Sequence, residues 1–172
     1  REFFANLPTE EIFTTPDNLR AEGYITTTKR VEVLNTTTEE VRFVFKEGKV
    51  VEYQARKGQD ALDRFFAIDE GTRRLGEVAL VDETSPIAKS NLVFNSILLD
   101  ENASCHLALG EGYPTALKDG ANLDTKEQLQ QAHCNTSLMH IDFMVGSPDM
   151  KITAHTRDGR QEVIMENGVF TF

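Results

Sequence analysis

No run of about 18 apolar residues occurs in the chain, so the sequence offers no membrane-spanning helix. Cysteine is scarce. Cys105 and Cys134 are the whole complement, too few for a disulfide framework, and no Cys-x-x-Cys pair is present. A reducing, cytoplasmic location is the expectation that follows. The sequons at Asn35, Asn102 and Asn135 have no meaning outside a secreted protein. No secretory signal is read, and the chain starts Arg1-Glu2-Phe3 without a methionine, as a fragment or trimmed form would. Low-complexity tracts, fixed-period repeats and long linkers are also missing.

Basic residues are the other shortage. Lys and Arg number 18 against 28 Asp and Glu, a formal charge of −10 at pH 7. Nucleic-acid binding needs a basic face to replace condensed counterions, so this balance argues against a nucleic-acid partner. It argues equally against docking on anionic lipid, and it suits metal ions or substrates carrying an amine. Hydrophobic residues make up 40% and charged residues 27% of the chain, the composition of a folded globular protein. Its 172 residues suffice for a real core.

The richest apolar pattern has period two. Val41–Phe45 and Val50–Tyr53 flank Lys46-Glu47-Gly48-Lys49 and predict a hairpin with a glycine turn. Met150–His155 and Gln161–Met165 flank Asp158-Gly159 and predict a second. Gly76–Val81 and Met139–Val145 read as buried strands. Helical spacing is rarer: Gln59–Ile68 behind Gly58, Thr125–Ala132 behind an N-cap at Asp124, and a turn within Asn95–Ala108. The expectation is an α+β fold: one β-rich domain over 1–172 with hairpins and a few short helices.

Two histidines sit in suggestive surroundings. In a strand, residues i and i+2 share a face, so His140 and Asp142 present an imidazole beside a carboxylate. His106 follows Glu101-Asn102-Ala103-Ser104-Cys105. Carboxylate plus imidazole suits zinc, manganese or cobalt, although a part-buried histidine bonded to Asp142 explains the same pattern. Glu77 sits against an apolar run, where a carboxylate is costly unless paired or bound to a cation; at a strand mouth it would simply be solvated. Glu11 and Phe13 share a side if Pro8–Pro16 is extended. A structural zinc site from Cys105-His106 and His133-Cys134, or cysteine-nucleophile chemistry, has no spacing signature behind it.

Five strings in order resemble the thermophilic-type metalloaminopeptidases, the aminopeptidase T/S family. They are Asn6-Leu7-Pro8-Thr9-Glu10-Glu11-Ile12-Phe13-Thr14-Thr15-Pro16, Arg74-Leu75-Gly76-Glu77-Val78-Ala79, Asn102-Ala103-Ser104-Cys105-His106-Leu107-Ala108, Gly110-Glu111-Gly112-Tyr113-Pro114 and His140-Ile141-Asp142-Phe143-Met144-Val145-Gly146-Ser147-Pro148. The resemblance implies a carboxy-terminal catalytic half, without the amino-terminal α/β domain of longer members. It implies two divalent metal ions (zinc, cobalt or manganese) held by Glu11, Glu77, His106, His140 and Asp142, with Glu77 bridging. Glu101 is implied as a ligand or as the acid/base, and Tyr113 as a partner of the oxyanion or of a metal. The implied substrates are peptides with a free amino terminus, cleaved with broad specificity, and the full-length protein is expected to be a homodimer. The competing expectations are a non-catalytic oligomerisation or binding module, and a metallohydrolase of another amide.

Overall fold

The computed structural model describes residues 10–92, 94 and 97–172. Among them, eleven strands lie in three sheets with four short α-helices, a mixed, β-rich architecture as the period-two patterning predicts. The strands are β1 (Glu11–Thr14), β2 (Gly23–Thr26), β3 (Val31–Val33), β4 (Thr36–Lys46), β5 (Lys49–Lys57), β6 (Leu75–Val81), β7 (His106–Gly110), β8 (His140–Met144), β9 (Ile152–His155), β10 (Gln161–Glu166) and β11 (Val169–Phe170). The helices are α1 (Gln59–Phe66), α2 (Pro86–Ser90), α3 (Ile97–Glu101) and α4 (Lys126–Gln131). None is long and apolar enough to cross a membrane. The chain groups into two compact units that interleave in sequence: Phe13–Ala79 with His106–Val145, and Leu80–Cys105 with Gly146–Phe172 and the residues up to Ile12.

In the first unit the expected hairpin is longer than its apolar centre. β4 and β5 pair from Lys46↔Lys49 out to Glu39↔Lys57. Glu47 and Gly48 have φ of 50° and 75°, the two positive values a tight two-residue hairpin turn needs. A second such turn at Leu34-Asn35, φ 49° and 61°, joins β3 to β4 and is not foreseen from sequence. Val41, Phe43 and Phe45 alternate inward, and α1 covers them with Ala61, Leu62, Phe65 and Phe66. The Phe43 and Phe143 rings meet edge-on with centroids 4.9 Å apart. Burying side chains of this size stabilises by roughly 1.5–3 kcal/mol each. Val78, Leu107, Leu109, Ile141 and Phe143 turn one face of the β6-β7-β8 sheet onto this core. That leaves its other face for chemistry.

Helix α4 begins one residue later than expected. Thr125, not Asp124, is the N-cap: its Oγ accepts from Gln128 N–H, and Gln128 Oε1 accepts from Thr125 N–H. Only a cap three residues before Gln128 allows this reciprocal pair.

In the second unit, β9 and β10 form the expected hairpin, with Gly159 at φ 87°. A third strand, β11, follows through Asn167-Gly168, φ 52° and 72°, a turn that sequence reasoning passed over. The Cys105 Sγ lies 3.8 Å from the buried Met165 sulfur and accepts from Val81 N–H. The helical turn expected within Asn95–Ala108 is α3; Asn95 itself, like Asn6–Thr9 of the first motif, lies outside the described residues.

Candidate metal centre

Strands β6, β7 and β8 lie side by side, and their register places the motif residues in rows. Glu77 stands opposite Ala108, Ala108 opposite Asp142, and Gly110 opposite His140. Alternation then puts Glu77, His106, Ala108, His140 and Asp142 on one face. Only the methyl of Ala108 separates Glu77 from Asp142 along the row, so the carboxylates converge over a small floor. Glu77 is buried, which removes the reading of a solvated strand-mouth acid.

The four polar side chains are close but not at hydrogen-bonding optimum. His106 Nε2 is 3.4 Å from Glu77 Oε1 and 4.0 Å from Asp142 Oδ1. His140 Nε2 is 3.6 Å from Glu77 Oε2 and 3.3 Å from Asp142 Oδ1. Two donors that each sit about 2.1 Å from a tetrahedral ion are about 3.4 Å apart, so these separations fit donors arranged around a cation. The two oxygens of Glu77 face different histidines. Glu77, His140 and Asp142 form one compact group of ligand atoms with the chemistry a borderline divalent metal takes.

Glycines set the approach. The register slips between Leu75 and Glu77, a β-bulge at Gly76 that re-aims Glu77. A Cβ on Gly76 would lie 2.2 Å from the Glu111 carbonyl oxygen. That carbonyl sits 2.7 Å from His140 Nδ1. Glu111 is thus a site residue that its own side chain did not advertise; the only sequence signal is its place in the Gly-Glu-Gly-Tyr string. Tyr113 is partly exposed at the rim, its ring centroid 5.0 Å from that of His140. Thr15 holds its backbone at both ends, donating to Tyr113 O and accepting from Tyr113 N–H.

Electrostatics follow from this packing. Burial alone would lower the pKa of His140, but the bond and charge of Asp142, the Glu111 carbonyl and the Glu77 charge outweigh it and hold His140 at about 9. The folded value lies above the ordinary one near 6.5, so protonated His140 stabilises the metal-free fold below pH about 6.5 and loses that contribution as pH rises through about 9. The free-energy gap between wild type and His140→Gln, measured by urea unfolding in chelator, should therefore shrink over that window. A gap that widens with pH would remove the His140–Asp142 pair as its source.

Glu11 and Glu101 belong to the second unit, Glu11 buried at the start of β1 and Glu101 half-buried at the end of α3. Glu10 N–H donates to the buried Asn102 side chain, which ties the residue before Glu11 to the residue after Glu101. His133 pairs with Asp17 at 3.1 Å and His155 is exposed. Among the described residues neither cysteine joins a cluster of three ligand-type groups, and burial pushes both thiols up, away from the reactive thiolate.

Residues 1–170 match the family model described as thermophilic metalloprotease (M29). The chain is 44% identical over 170 residues to Aminopeptidase 2 of Geobacillus stearothermophilus, covering 99% of this chain and 41% of that one. It is 40% identical over 163 residues to Aminopeptidase T of Thermus thermophilus, covering 95% and 39%. The structure of wild-type AmpT from Thermus thermophilus matches with a TM-score of 0.88 at 40% identity, covering 97% of this chain and 41% of that one. The chain spans about two fifths of the length of these relatives.

Proposed function

The chain belongs to the thermophilic metalloprotease (M29) family, and we propose that it is the metal-binding catalytic half of a two-metal aminopeptidase. The observation that carries this reading is Glu77: Oε1 lies 3.4 Å from His106 Nε2 and Oε2 lies 3.6 Å from His140 Nε2, so its carboxylate could serve an ion beside each histidine. By the family resemblance alone, Glu11 and His106 would hold one ion and His140 and Asp142 the other. The relatives' names, Aminopeptidase 2 and Aminopeptidase T, support peptides with a free amino terminus as substrates.

Two divalent ions at this face, whether zinc, cobalt or manganese, supply Lewis-acid polarisation and a lowered pKa for water. The protein's part is positional and protonic. By the same resemblance, Glu101 would take up a proton from the attacking water and return it to the leaving amine, or would ligate a metal. Tyr113, at the rim beside His140, donates its hydroxyl hydrogen towards the oxyanion. The carboxylate excess around the site favours the substrate's ammonium group. The longer protein carrying this chain would act as a broad-specificity cytoplasmic homodimer.

The test is hydrolysis of a leucine chromogenic amide by the longer protein loaded with zinc, cobalt or manganese. Activity that vanishes with chelator is expected, with an acetylated peptide left uncut. No activity in the metal-loaded protein sinks the enzyme reading, and equal cleavage of acetylated and free peptides sinks the aminopeptidase.

A further inference from the structure

A carbonyl oxygen can only accept, so His140 Nδ1, 2.7 Å from Glu111 O, carries the hydrogen. Nε2 is then the nitrogen that faces Glu77 and Asp142. Glu111 lies one residue beyond β7, outside the strand ladder, and is held by bonds of its own. Its N–H donates to Met139 O at 2.6 Å, and its carboxylate accepts from Ser137 N–H. Ser137 is fixed in turn by Asp69, whose carboxylate accepts from Ser137 Oγ at 2.9 Å and from Leu138 N–H at 2.8 Å. Glu111 therefore grips residues 137, 139 and 140, the whole entry into β8. On the opposite side the missing Cβ of Gly76 leaves the space that the Glu111 carbonyl fills.

We propose that Glu111 is a positioning residue for His140: its carboxylate clamps the Ser137 amide, so that its carbonyl stays on Nδ1–H and Nε2 is the nitrogen offered to the site. The side chain acts through the backbone. A histidine ligand whose second nitrogen is fixed this way is oriented and made more basic, and loss of such support costs about 10–100-fold in metal affinity. The metal consequence rests on the function proposed above; the clamp itself does not.

The test uses the chain labelled at histidine nitrogen, followed by NMR in chelator and then titrated with zinc ion. Wild type should show a slowly exchanging Nδ1–H on His140. Glu111→Ala should lose that protection and bind zinc about 10–100-fold more weakly. Glu111→Gln, whose amide oxygen can still accept from Ser137, should restore both. Glu111→Ala with wild-type exchange and zinc affinity overturns the proposal, as does a Gln variant as impaired as the Ala variant. Should Glu111→Ala fail to fold, wild type alone decides, because a His140 Nδ1 that exchanges freely overturns the clamp. A wild type that takes up no zinc yet keeps a Glu111-dependent Nδ1–H supports the clamp and sinks only the metal reading.

Discussion

On the two-metal reading proposed above, Glu77→Gln should take zinc binding from two ions to one or none and abolish peptide hydrolysis by the longer protein. The substitution keeps the volume and one acceptor oxygen, but it removes the charge and replaces a second oxygen with a donor. That donor would face either His106 or His140, whose Nε2 atoms lie 3.4 and 3.6 Å from the two Glu77 oxygens. On the proposed reading Glu77 serves both ions, so the affinity loss should exceed the roughly 10–100-fold typical of a supporting residue. Asp142→Asn should be milder at the His106 side, because Asp142 Oδ1 is 3.3 Å from His140 Nε2 but 4.0 Å from His106 Nε2. Calorimetric titration with zinc, alongside far-ultraviolet circular dichroism to verify the fold, separates these outcomes. Full zinc stoichiometry in Glu77→Gln would show that the two oxygens do not serve two ions.

The parts of this site legible in sequence are those set by a single strand. His140 and Asp142 are two residues apart in β8, and alternation alone puts them together. Glu77 and His106 are 29 positions apart in sequence, and their meeting depends on the register of β6 against β7 and on the bulge at Gly76. Locally, Glu77 stands out only as a carboxylate against an apolar run and His106 only by its neighbours; their pairing comes from resemblance to a family, where periodicity cannot supply it. Glu111 stayed hidden for another reason. Its acid group looks like any surface carboxylate in a chain rich in them, while its service to His140 comes from a carbonyl that every residue has.

Turns show the same division. Glu47-Gly48 and Asp158-Gly159 were readable because glycine tolerates positive φ at little cost. Leu34-Asn35 was not, because leucine disfavours φ near 49°, and the pairing of β3 with β4 on both sides imposes it. Where long-range pairing overrides local preference, the local sequence carries no signal.

Gly110 joins both themes, and Gly110→Ala should be the most damaging glycine substitution near the site. Gly110 closes β7 at φ 114°, a conformation that L side chains resist, and it pairs directly with His140. An added Cβ would lie 1.9 Å from Met139 O, the same oxygen that accepts from Glu111 N–H. The Gly110 carbonyl also accepts from Asn135 Nδ2 at 2.6 Å, so the strand end cannot slide without losing that bond. Backbone strain of this kind costs about 1–3 kcal/mol before any displacement. With the overlap added, a total above about 3 kcal/mol is expected. Gly159 provides the control: its φ is 87°, but a Cβ there meets nothing within 4 Å. Gly159→Ala should cost only the left-handed penalty of about 1–2 kcal/mol. Urea unfolding of both variants reads the difference, and zinc titration should show weaker binding for Gly110→Ala alone, because moving Met139 moves His140. Equal stability losses in the two variants would mean that the close approach of Gly110 to Met139 carries no energetic weight, and unchanged zinc affinity in Gly110→Ala would uncouple the end of β7 from the histidine it faces.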